Sequence, residues 1–532
     1  MNRFASACRH RIDPRRSGSA HVLRFIGLTV LLAVVACFRF PSTASAVIEY
    51  EDDFIQCELA PGVLIEDINN DYGTTSEDAA DPLHLLAVNN GNIWLLIDQM
   101  FLDPRIVWAE PSYINATPEA LRAMVVGLVG GTIEDYEDQD VYSRIHLDVL
   151  HEHATGAGAI IAVLDTGVNA NHPAFGGQVL PGWDFVDEDN DPSDVGNGID
   201  DDNDTLVDEG AGHGTMVAGI AHLAAPGAQI LPVRVVDDEG VGRTFDVVKG
   251  IQYAIDQGAD VINLSLGLRT ACEALGRGVD YAVQAGVVVV AAGGNEGVRE
   301  PPFFPASLPG VHGVAALDTL DVKADFASFH ETISLSGPGV GIRAPFLDDG
   351  WALGAGSSFA APFVSGQAAV IIGATPSLPK AVTDSLMQDG VSGIYQLPGN
   401  LPYYGLLGTG RVDGIETWTV LQPQASGVEP LDLPVSSSIS VSPNPSRPGT
   451  DMTVTVQWAS ETGADVTSPL PLVVADATGR AVRSLAASPV SPGVWTARWD
   501  GRDDRSRALP AGVYFVSEPG ASGSAKVLRL AH

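Results

Sequence analysis

Basic residues are scarce in this chain of 532 residues, which carries 29 Lys and Arg against 66 Asp and Glu, a formal net charge of −37 at pH 7. A surplus of negative charge this large repels the phosphates of nucleic acids and of anionic lipids. The composition therefore argues against nucleic acid or an anionic membrane surface as a partner. It suits a soluble extracellular protein that binds cations.

Cysteine is also scarce. The four cysteines are Cys8, Cys37, Cys57 and Cys272, and only Cys272 lies in the longest patterned part of the chain. No disulfide framework is therefore available to stabilise that part. With 45% hydrophobic residues, the chain is nevertheless long enough for several domains with sizeable cores.

Long apolar runs are few, and the clearest one lies near the N-terminus. A basic segment, residues 9–24, precedes an apolar run over residues 25–38, and the small-residue pattern Ala44-Ser45-Ala46 follows. This order predicts a bacterial-type secretory signal peptide over residues 1–46, because the run is too short to favour a membrane span. A lipoprotein signal ending at Cys37 is the alternative, since small residues precede that cysteine. No later segment suggests a membrane span, so we expect a protein that is secreted or attached to the cell surface.

Residues 47–143 form an acidic and modestly patterned segment. The pattern of apolar and turn residues predicts strands over residues 83–88 and 93–97, on either side of an Asn-Asn-Gly turn. A helix is predicted over residues 117–128, whose Thr-Pro start suits an N-cap and a first helical position. We expect a small α+β domain with no evident chemistry of its own.

From residue 144 the apolar pattern changes. Near-continuous apolar runs predict buried strands with helices between them, as over residues 244–257. The predicted strands are residues 157–164, 231–236, 260–266 and 287–292. Strands alternate with helices, so the sequence predicts an α/β domain over residues 144–421, with a mostly parallel central sheet flanked by helices.

Asp165 follows the first of these strands directly, in the tripeptide Asp-Thr-Gly. Open α/β sheets build their sites at the carboxyl ends of the strands, although a turn-capping aspartate is the alternative. His213 lies between Gly212 and Gly214 at the start of a predicted helix. The two glycines let the histidine approach another backbone closely, which favours a positioned base over an ordinary core histidine.

A pair of serines, Ser357 and Ser358, precedes an apolar run over residues 360–374 that predicts a buried helix. The first turn of a helix presents unpaired backbone N–H groups and the positive end of the helix dipole. A serine there is well placed to be a nucleophile whose attack generates an oxyanion. An ordinary N-cap serine is the alternative.

The three candidate residues occur in the chain order Asp165, His213, Ser358, which is the order found in subtilisin. Over residues 144–421 the chain resembles the subtilisin-like serine proteases, or subtilases of the peptidase S8 type. The motifs that carry the resemblance are residues 165–167, 212–219, 231–235, 261–267, 291–297 and 356–362.

Three residues within these motifs differ from those most common in the family. Met216 stands where a second histidine is common, Ser357 where threonine is usual, and Phe359 where methionine is usual. These changes are modest, so we expect activity to survive them, with altered packing around Phe359.

The resemblance implies a role for each matched residue. Ser358 would be the nucleophile, His213 the general base and then the acid, and Asp165 the group that orients His213. Asn295 would donate to the oxyanion together with the backbone N–H of Ser358. A simple tight turn is the alternative for the glycine-rich loop that contains Asn295. The residues whose backbone would pair with an extended substrate and frame its first pocket are Ser265, Leu266, Gly267, Ala292 and Gly293.

These roles imply a secreted serine endopeptidase that hydrolyses peptide bonds through an acyl-enzyme, acts on proteins or peptides, and needs no cofactor for its chemistry. One alternative is an inactive subtilase fold used as a surface or binding module, which would usually have lost a catalytic residue. Another is an esterase with the same triad, but Ala360 replaces the second glycine of the Gly-x-Ser-x-Gly elbow of α/β-hydrolases. Glu296, near the expected first pocket, is a candidate to favour basic residues in the substrate.

An acidic insertion over residues 184–209 separates the aspartate motif from the histidine motif. Carboxylates this dense repel one another unless they are solvated or bridged by a cation. The residues with the oxygen spacing of a calcium loop are Asp200, Asp202, Asp204 and Asp208. Thr205 occupies the position where such a loop prefers glycine. The sequence predicts a structural calcium site here, with a solvated acidic loop as the alternative.

The family resemblance also implies a function for residues 47–143. They resemble a subtilase propeptide, and Trp108-Ala109-Glu110-Pro111-Ser112 is similar to the motif that commonly closes one. Such segments assist folding, inhibit the enzyme and are then removed, so the propeptide would be a partner of the enzyme in a zymogen. We expect the maturation cut between residues 112 and 145.

A linker rich in Pro, Ser and Gly over residues 422–438 precedes a final segment of short strands, residues 439–532. The strand pattern predicts a small Ig-like β-sandwich. Motifs such as Val441-Ser442-Pro443-Asn444-Pro445 resemble FlgD-like or type IX secretion sorting domains, and a generic Ig-like module is the alternative. The resemblance implies that this domain contacts secretion or cell-surface machinery and takes no part in catalysis.

Overall fold

The residues that the computed structural model describes are 50–89, 92–120, 127–200, 205–422, 435–442, 452–459, 470–476, 481–491, 494–502, 507–510, 512–517 and 524–529. The chain divides into two compact units, Met1–Pro423 and Gln424–His532. The division falls inside the predicted linker. The predicted signal peptide, residues 1–46, lies outside the described residues.

The first unit begins with a small antiparallel sheet covered by two helices. Its elements are β1 (Tyr50–Leu59), α1 (Ile65–Tyr72), β2 (Thr74–Ala80), β3 (Leu83–Val88), α2 (Ile93–Met100) and β4 (Ile106–Ala116). The strand predicted over residues 83–88 is confirmed as β3, but the strand predicted over residues 93–97 is wrong, because those residues begin α2. The Asn92 carboxamide accepts hydrogen bonds from the N–H groups of Trp94 and Leu95, so a local N-cap starts a helix there.

The helix predicted over residues 117–128 is also wrong where the chain is described. Thr117 Oγ1 accepts a hydrogen bond from the N–H of Ala120 at 3.2 Å, as an N-cap would. Residues 121–126 lie outside the residues that the structure describes. The following residues form β5 (Gly127–Val129), which pairs antiparallel with β15 (Trp351–Ala355). On its other side β15 pairs antiparallel with β14 (Val340–Pro345). The strand partner lies more than 200 residues away, so the local pattern contained no sign of it.

Three short helices, α3 (Ile133–Glu137), α4 (Asp140–Arg144) and α5 (Leu147–His151), lead into the α/β core. The strands of its nine-stranded sheet are β6 (Ile160–Asp165), β7 (Trp183–Asp184), β8 (Gln229–Arg234), β10 (Val261–Leu264), β11 (Val288–Ala292), β12 (Val311–Leu317), β13 (Ile333–Pro338), β16 (Val391–Ser392) and β17 (Arg411–Val412). Their order is β16-β17-β13-β12-β11-β10-β6-β8-β7. Only β16 and β17 pair antiparallel in this described sheet, which confirms the mostly parallel prediction.

Both faces of this sheet are buried. Along β6, Ile161 and Val163 belong to one apolar cluster while Ala162 and Leu164 belong to another, and none of the four is exposed. The helices that cover the sheet are α6 (His213–Ala224), α7 (Thr244–Asp256), α8 (Glu273–Gln284), α9 (Ser357–Ala374), α10 (Lys380–Asp389) and α11 (Gly414–Leu421). Because side chains of a strand alternate between faces, burial on both faces explains the near-continuous apolar runs of the sequence.

Helix α9 crosses the centre of the first unit. Among the described helices it alone is long and apolar enough to cross a membrane by length and composition, but 83% of it is buried inside the fold. It packs against α6 and against strands β10 to β13. It is therefore the core helix that the apolar run over residues 360–374 predicted, and its first turn starts at Ser357.

The small N-terminal sheet is joined to the α/β core through β4. Its last residues pair with the short strand β9 (Val241–Arg243) of the core, so the sheet order is β2-β3-β1-β4-β9. Glu110 of β4 accepts hydrogen bonds from the N–H groups of Glu273 and Ala274 at 3.0 and 2.9 Å. A carboxylate from one sheet thereby caps the N-terminus of α8, where the helix dipole favours negative charge.

The second unit is built from antiparallel strands. They are β18 (Val435–Ser442), β19 (Met452–Ala459), β20 (Leu470–Asp476), β21 (Ala481–Ser491), β22 (Val494–Trp499), β23 (Gly512–Ser517) and β24 (Ser524–Arg529). Strand β21 pairs with β20 through its first half and with β22 through its second half. A separate apolar core that includes Trp495, Trp499 and Val454 lies within this unit. Strand β18 starts at Val435, a few residues before the predicted domain boundary.

Candidate active site

Three elements of the α/β core end or begin at one place, and each contributes one of the predicted residues. Asp165 is the last residue of β6, His213 is the first residue of α6, and Ser358 is the second residue of α9. Gly212, which precedes the histidine, has φ +90°, a conformation that glycine adopts without strain. The carboxyl edge of the sheet thus collects side chains that lie 193 residues apart in the sequence (358 − 165).

Asp165 and His213 form a buried pair. The Nδ1 of His213 lies 2.7 Å from Oδ1 of Asp165, and neither side chain is more than 3% exposed. The N–H of Thr166 donates to the same aspartate oxygen at 2.8 Å. This arrangement fixes the ring of His213 and directs its Nε2 away from Asp165.

Asp194 connects the two motifs, and sequence reasoning missed it. Its carboxylate accepts hydrogen bonds from Thr166 Oγ1 at 3.1 Å, from Gly212 N at 2.8 Å, and from Thr215 N and Oγ1 at 2.9 and 2.6 Å. Burial raises the pKa of Asp194 to about 6, although the hydrogen bonds from Thr215 and Gly212 favour the charged form. It thereby ties the residue after Asp165 to the residue before His213.

Asn295 lies in the loop that follows β11 and faces the start of α9. Its Oδ1 accepts a hydrogen bond from the N–H of Ser357 at 2.8 Å, which holds the amide at the start of α9. Ser357 Oγ accepts in turn from the N–H of Gly294 at 3.0 Å. The structure thus brings Asn295 to the first turn of α9, where Ser358 lies.

A second set of hydrogen bonds holds the first turn of α9 against β10. Ser265 Oγ donates to the carbonyl of Ser358 at 2.8 Å and accepts from Asn263 Nδ2 at 3.0 Å. Ser365 Oγ donates to Asn263 Oδ1 at 2.8 Å. All four side chains are buried, so the position of Ser358 is set by a polar network within the core.

The predicted substrate segments lie beside these groups. Gly267 exchanges two backbone hydrogen bonds with Ala116, at 2.9 and 3.0 Å, so the end of β4 lies along it as an antiparallel strand. Leu266, Ala292 and Gly293 are buried, and Gly293 N donates to the carbonyl of Val314 at 2.9 Å. Gly267 therefore presents a free strand edge only when β4 is absent.

Glu119 enters the site from the segment that follows β4. Its Oε2 accepts hydrogen bonds from Ser358 Oγ at 2.6 Å and from His213 Nε2 at 3.1 Å, and its Oε1 accepts from Asn295 Nδ2 at 2.8 Å. The side chain is 5% exposed. No local pattern marks Glu119, and the only signal in the sequence was the resemblance of the preceding residues to a propeptide.

The charge of His213 reflects its two acidic neighbours. Burial favours the neutral imidazole, but the carboxylates of Asp165 and Glu119 outweigh it and raise the pKa of His213 to about 10. The ring of Phe359 lies 5.4 Å from the imidazole, between centroids, and is fully buried. The variant residue Phe359 is thus accommodated in the core beside the histidine.

The predicted calcium residues are described in part. Asp200 Oδ2 accepts a hydrogen bond from the N–H of Thr205 at 3.1 Å, and Asp208 accepts from the N–H groups of Asn197 and Gly198. Thr205 has φ +84°, the left-handed conformation. Asp202 and Asp204 lie outside the described residues.

Other charges near the site are paired. At the start of the insertion Asp184 and Asp187 each lie 2.7 Å from Nη1 of Arg234, which balances part of their charge. Glu296 lies 3.3 Å from Nη2 of Arg269. The carboxylate that was a candidate for selecting basic substrates therefore already faces a guanidinium.

Two protein families match this chain. The Subtilase family matches residues 156–395, and the FlgD Ig-like domain matches residues 442–523. The first range contains all four predicted catalytic residues, and the second contains most of the strands of the second unit.

Individual proteins are similar over the same region. Thermitase from Thermoactinomyces vulgaris is 40% identical over 228 residues, which cover 41% of this chain and 76% of thermitase. A thermophilic serine proteinase from Bacillus sp. (strain AK1) is 36% identical over 292 residues, which cover 53% of this chain and 67% of that protein. Among solved structures, fervidolysin from Fervidobacterium pennivorans, a keratinolytic enzyme related to subtilisin, has a TM-score of 0.58 at 21% identity, with 89% of this chain and 71% of fervidolysin covered. This likeness shows the fold.

Proposed function

Because the chain belongs to the subtilase family of serine proteases, we propose that it is an endopeptidase whose triad is Asp165, His213 and Ser358. The observation that carries the proposal is the 2.7 Å contact between His213 Nδ1 and Asp165 Oδ1, with Ser358 Oγ and His213 Nε2 bound to one common oxygen. Nucleophile and base therefore face the same small volume, as acyl transfer requires.

The proposed reaction proceeds through an acyl-enzyme. Ser358 Oγ attacks the substrate carbonyl carbon while its proton passes to His213 Nε2, and Asp165 stabilises the resulting imidazolium. Asn295 Nδ2 and the backbone N–H of Ser358 stabilise the oxyanion. The imidazolium then protonates the leaving amine as the peptide bond breaks. Water, deprotonated by His213, hydrolyses the ester and releases the new carboxyl group.

Labelling of the two adjacent serines tests the assignment. Once the N-terminal segment has been removed, we expect a fluorophosphonate probe to label the wild type and Ser357→Ala but not Ser358→Ala, and casein hydrolysis to follow the same pattern. Ser357→Ala is the matched control, because it removes a hydroxyl one residue away. Absence of labelling in the processed wild type would contradict the enzymatic proposal and favour an inactive binding module.

We also propose that residues 47–143 act as an inhibitory propeptide. The support is that β4 lies along Gly267 and β9, where an extended substrate would bind, and that Glu110 of β4 caps helix α8. Binding as an added strand uses main-chain hydrogen bonds that a substrate would need. Addition of the isolated segment to the processed enzyme should suppress casein hydrolysis, and unaltered hydrolysis would contradict the role.

Export and attachment are a further part of the proposal. The predicted signal peptide over residues 1–46 supports secretion, and the match of residues 442–523 to the FlgD Ig-like domain supports a surface or export role for the second unit. Fractionation of expressing cells should place the full chain outside the cytoplasm. The same chain without residues 1–46 should remain inside, and export of both forms would contradict the assignment of the signal.

A structural calcium ion is proposed for the loop that contains Asp200 and Asp208. The support is the left-handed conformation of Thr205 at the position where calcium loops use glycine, closed by the hydrogen bond to Asp200. The ion would balance carboxylate charge and supply no chemistry to the triad. Chelation should lower the melting temperature of the wild type and change that of Asp200→Asn less. Equal melting curves with calcium and with chelator would contradict the site.

A further inference from the structure

The catalytic pocket already holds a ligand, and that ligand is a carboxylate of the same chain. Both oxygens of Glu119 are bound, one by Ser358 Oγ and His213 Nε2 and the other by Asn295 Nδ2. The three donors come from three different elements of the core. Each is a group that the proposed reaction needs.

The hydrogen bonds determine where the protons are. A carboxylate only accepts hydrogen bonds, and His213 faces carboxylate oxygens at both ring nitrogens, Asp165 at 2.7 Å and Glu119 at 3.1 Å. Both nitrogens therefore donate, which makes the ring an imidazolium. An imidazolium has no lone pair with which to take a proton from Ser358, so it cannot act as the base.

The same contacts occupy the other two groups. Ser358 Oγ donates to Glu119 Oε2 at 2.6 Å, and the carbonyl of Ser265 lies 3.3 Å from the same hydroxyl. The amide of Asn295, which would stabilise the oxyanion, is bound to Oε1. The nucleophile, the base and the oxyanion donor are all engaged by one side chain.

The pocket also has the shape for this group. Gly356 lies directly before the two serines, and a Cβ at that position would overlap Glu119 Oε1. Because Gly356 has no side chain, Glu119 Oε1 can occupy this place next to Asn295. Upstream, Ala116 is fixed to Gly267 by two backbone hydrogen bonds, which limits how Glu119 can leave without the strand.

We propose that Ser358, His213 and Asn295 form a carboxylate-binding site, and that Glu119 is its internal ligand and holds the uncut chain inactive. The proposal rests on Ser358 as the nucleophile. The Glu119 carboxylate thus inhibits in addition to the strand pairing of the N-terminal segment. The strand blocks the binding of substrate, and the carboxylate engages the catalytic groups themselves.

Labelling of the uncut chain tests the site. The fluorophosphonate signal is read at the mass of the uncut chain, so that processing does not contribute. We expect Glu119→Gln to label faster than the wild type by about tenfold or more, since it removes one partner of buried, charge-assisted hydrogen bonds. A glutamine offers one acceptor oxygen where the pocket supplies donors to two. Glu119→Asp, which keeps the charge but is one methylene shorter, should also label faster.

A control variant distinguishes loss of the Glu119 contact from a general weakening of how β4 binds to the core. Asn115 Nδ2 donates to Thr244 Oγ1 at 2.6 Å, in a buried hydrogen bond that does not involve the triad. Asn115→Ala should therefore label much less than Glu119→Gln. Propionate should slow the labelling of Glu119→Ala, because it restores the missing carboxylate, while propionamide should not, and neither should affect Asn115→Ala.

The outcomes are distinct for the two proposals. Equal labelling of the wild type and all three Glu119 variants, with Ser358→Ala unlabelled, would overturn the carboxylate site and leave the protease proposal intact. Equal acceleration by Asn115→Ala with no difference between propionate and propionamide would also overturn it. Absence of labelling in every chain, including the processed wild type, would count against the protease proposal itself. Thermal melting of each variant in the Ser358→Ala background establishes that the chains are folded.

Discussion

At the scale of single residues, His213 lies between two carboxylates for which we propose opposite effects on function. Asp165 holds the ring in the orientation that the proposed reaction needs, whereas Glu119 binds the nitrogen that would face the substrate. Both favour the charged ring. The same electrostatic effect that stabilises the imidazolium of the transition state thus stabilises an inactive ground state when Glu119 is present.

The raised pKa of His213 predicts how the uncut chain responds to pH. Its pKa is about 10 in this state against an ordinary value of about 6.5, so the stabilisation from Glu119 is fully present below about pH 6.5 and is lost as the pH rises through about 10. Fluorophosphonate labelling of the uncut wild type should therefore increase toward pH 10. In Glu119→Gln one of the two carboxylates is gone, so the midpoint should lie at lower pH. The same midpoint in both chains would show that Glu119 does not hold the proton on His213.

Asp194 provides a second prediction at this scale. Replacing it with alanine leaves the N–H groups of Gly212 and Thr215 and two hydroxyls without their buried acceptor. Such groups cost about 1–3 kcal/mol each when unsatisfied. Four groups lose their acceptor, so we expect Asp194→Ala to lower the free energy of unfolding by about 4 kcal/mol or more. We also expect it to lower kcat more than it raises KM.

A larger change in kcat than in KM distinguishes a role of Asp194 in positioning His213 from a role in stability alone. Denaturant unfolding of the Ser358→Ala background gives the stability, and casein or peptide kinetics give the two constants. Asp194→Asn, which keeps one acceptor oxygen, should fall between the wild type and Asp194→Ala. Unchanged kcat in a destabilised Asp194→Ala chain would contradict the positioning role.

At the scale of elements, the sequence predicted what depends on local pattern. The ends of β6 and the starts of α6 and α9 were predicted because an apolar run stops at a polar or glycine-rich motif. Chain order and motifs then predicted which residues are catalytic. Helix α2 was mistaken for a strand because its short apolar run fits both periods, and the cap by Asn92 decided the outcome.

The remaining errors and omissions share a different cause. Strand β5 exists because of its pairing with β15, and Glu119 contacts Ser358 because the segment after β4 reaches the start of α9. Asp194 follows the same rule, since its partners lie in two separate motifs. Contacts between distant segments produce no periodic pattern in the sequence of either segment. These contacts could therefore not be predicted from local sequence patterns.

Thr205 gives a prediction at the element scale. Its φ of +84° places a β-branched residue in the left-handed region, which costs an L-residue about 1–2 kcal/mol. Thr205→Gly should therefore raise the free energy of unfolding by about 1 kcal/mol and leave kcat unchanged. Thr205→Ala retains a Cβ and is the matched control, so it should stabilise much less. If alanine stabilised as much as glycine in denaturant unfolding, backbone strain at this position would not be the cause.

At the scale of the whole molecule, the proposed protease and the FlgD-like domain lie in different compact units of the chain. The predicted catalytic residues, the β4 strand and Glu119 all belong to the unit Met1–Pro423, while the match to the FlgD Ig-like domain belongs to Gln424–His532. The apolar clusters of the described residues respect this division, since the cluster of the second unit contains only residues beyond 440. Each unit thus has a core of its own.

Separate cores predict separate unfolding. A chain that ends at residue 423 should retain the kcat and KM of the full chain on casein, because the described contacts of the triad and of Gly267 all lie within the first unit. Calorimetry of the full chain in the Ser358→Ala background should show two unfolding transitions. The shortened chain should show only the transition of the first unit, at the temperature at which it occurs in the full chain. A matched Ser358→Ala chain with Trp499→Ala, which opens a cavity in the second core, should lower only the other transition. A single cooperative transition that shifts as a whole in the Trp499→Ala chain would mean that the second unit stabilises the protease and is more than an attached module.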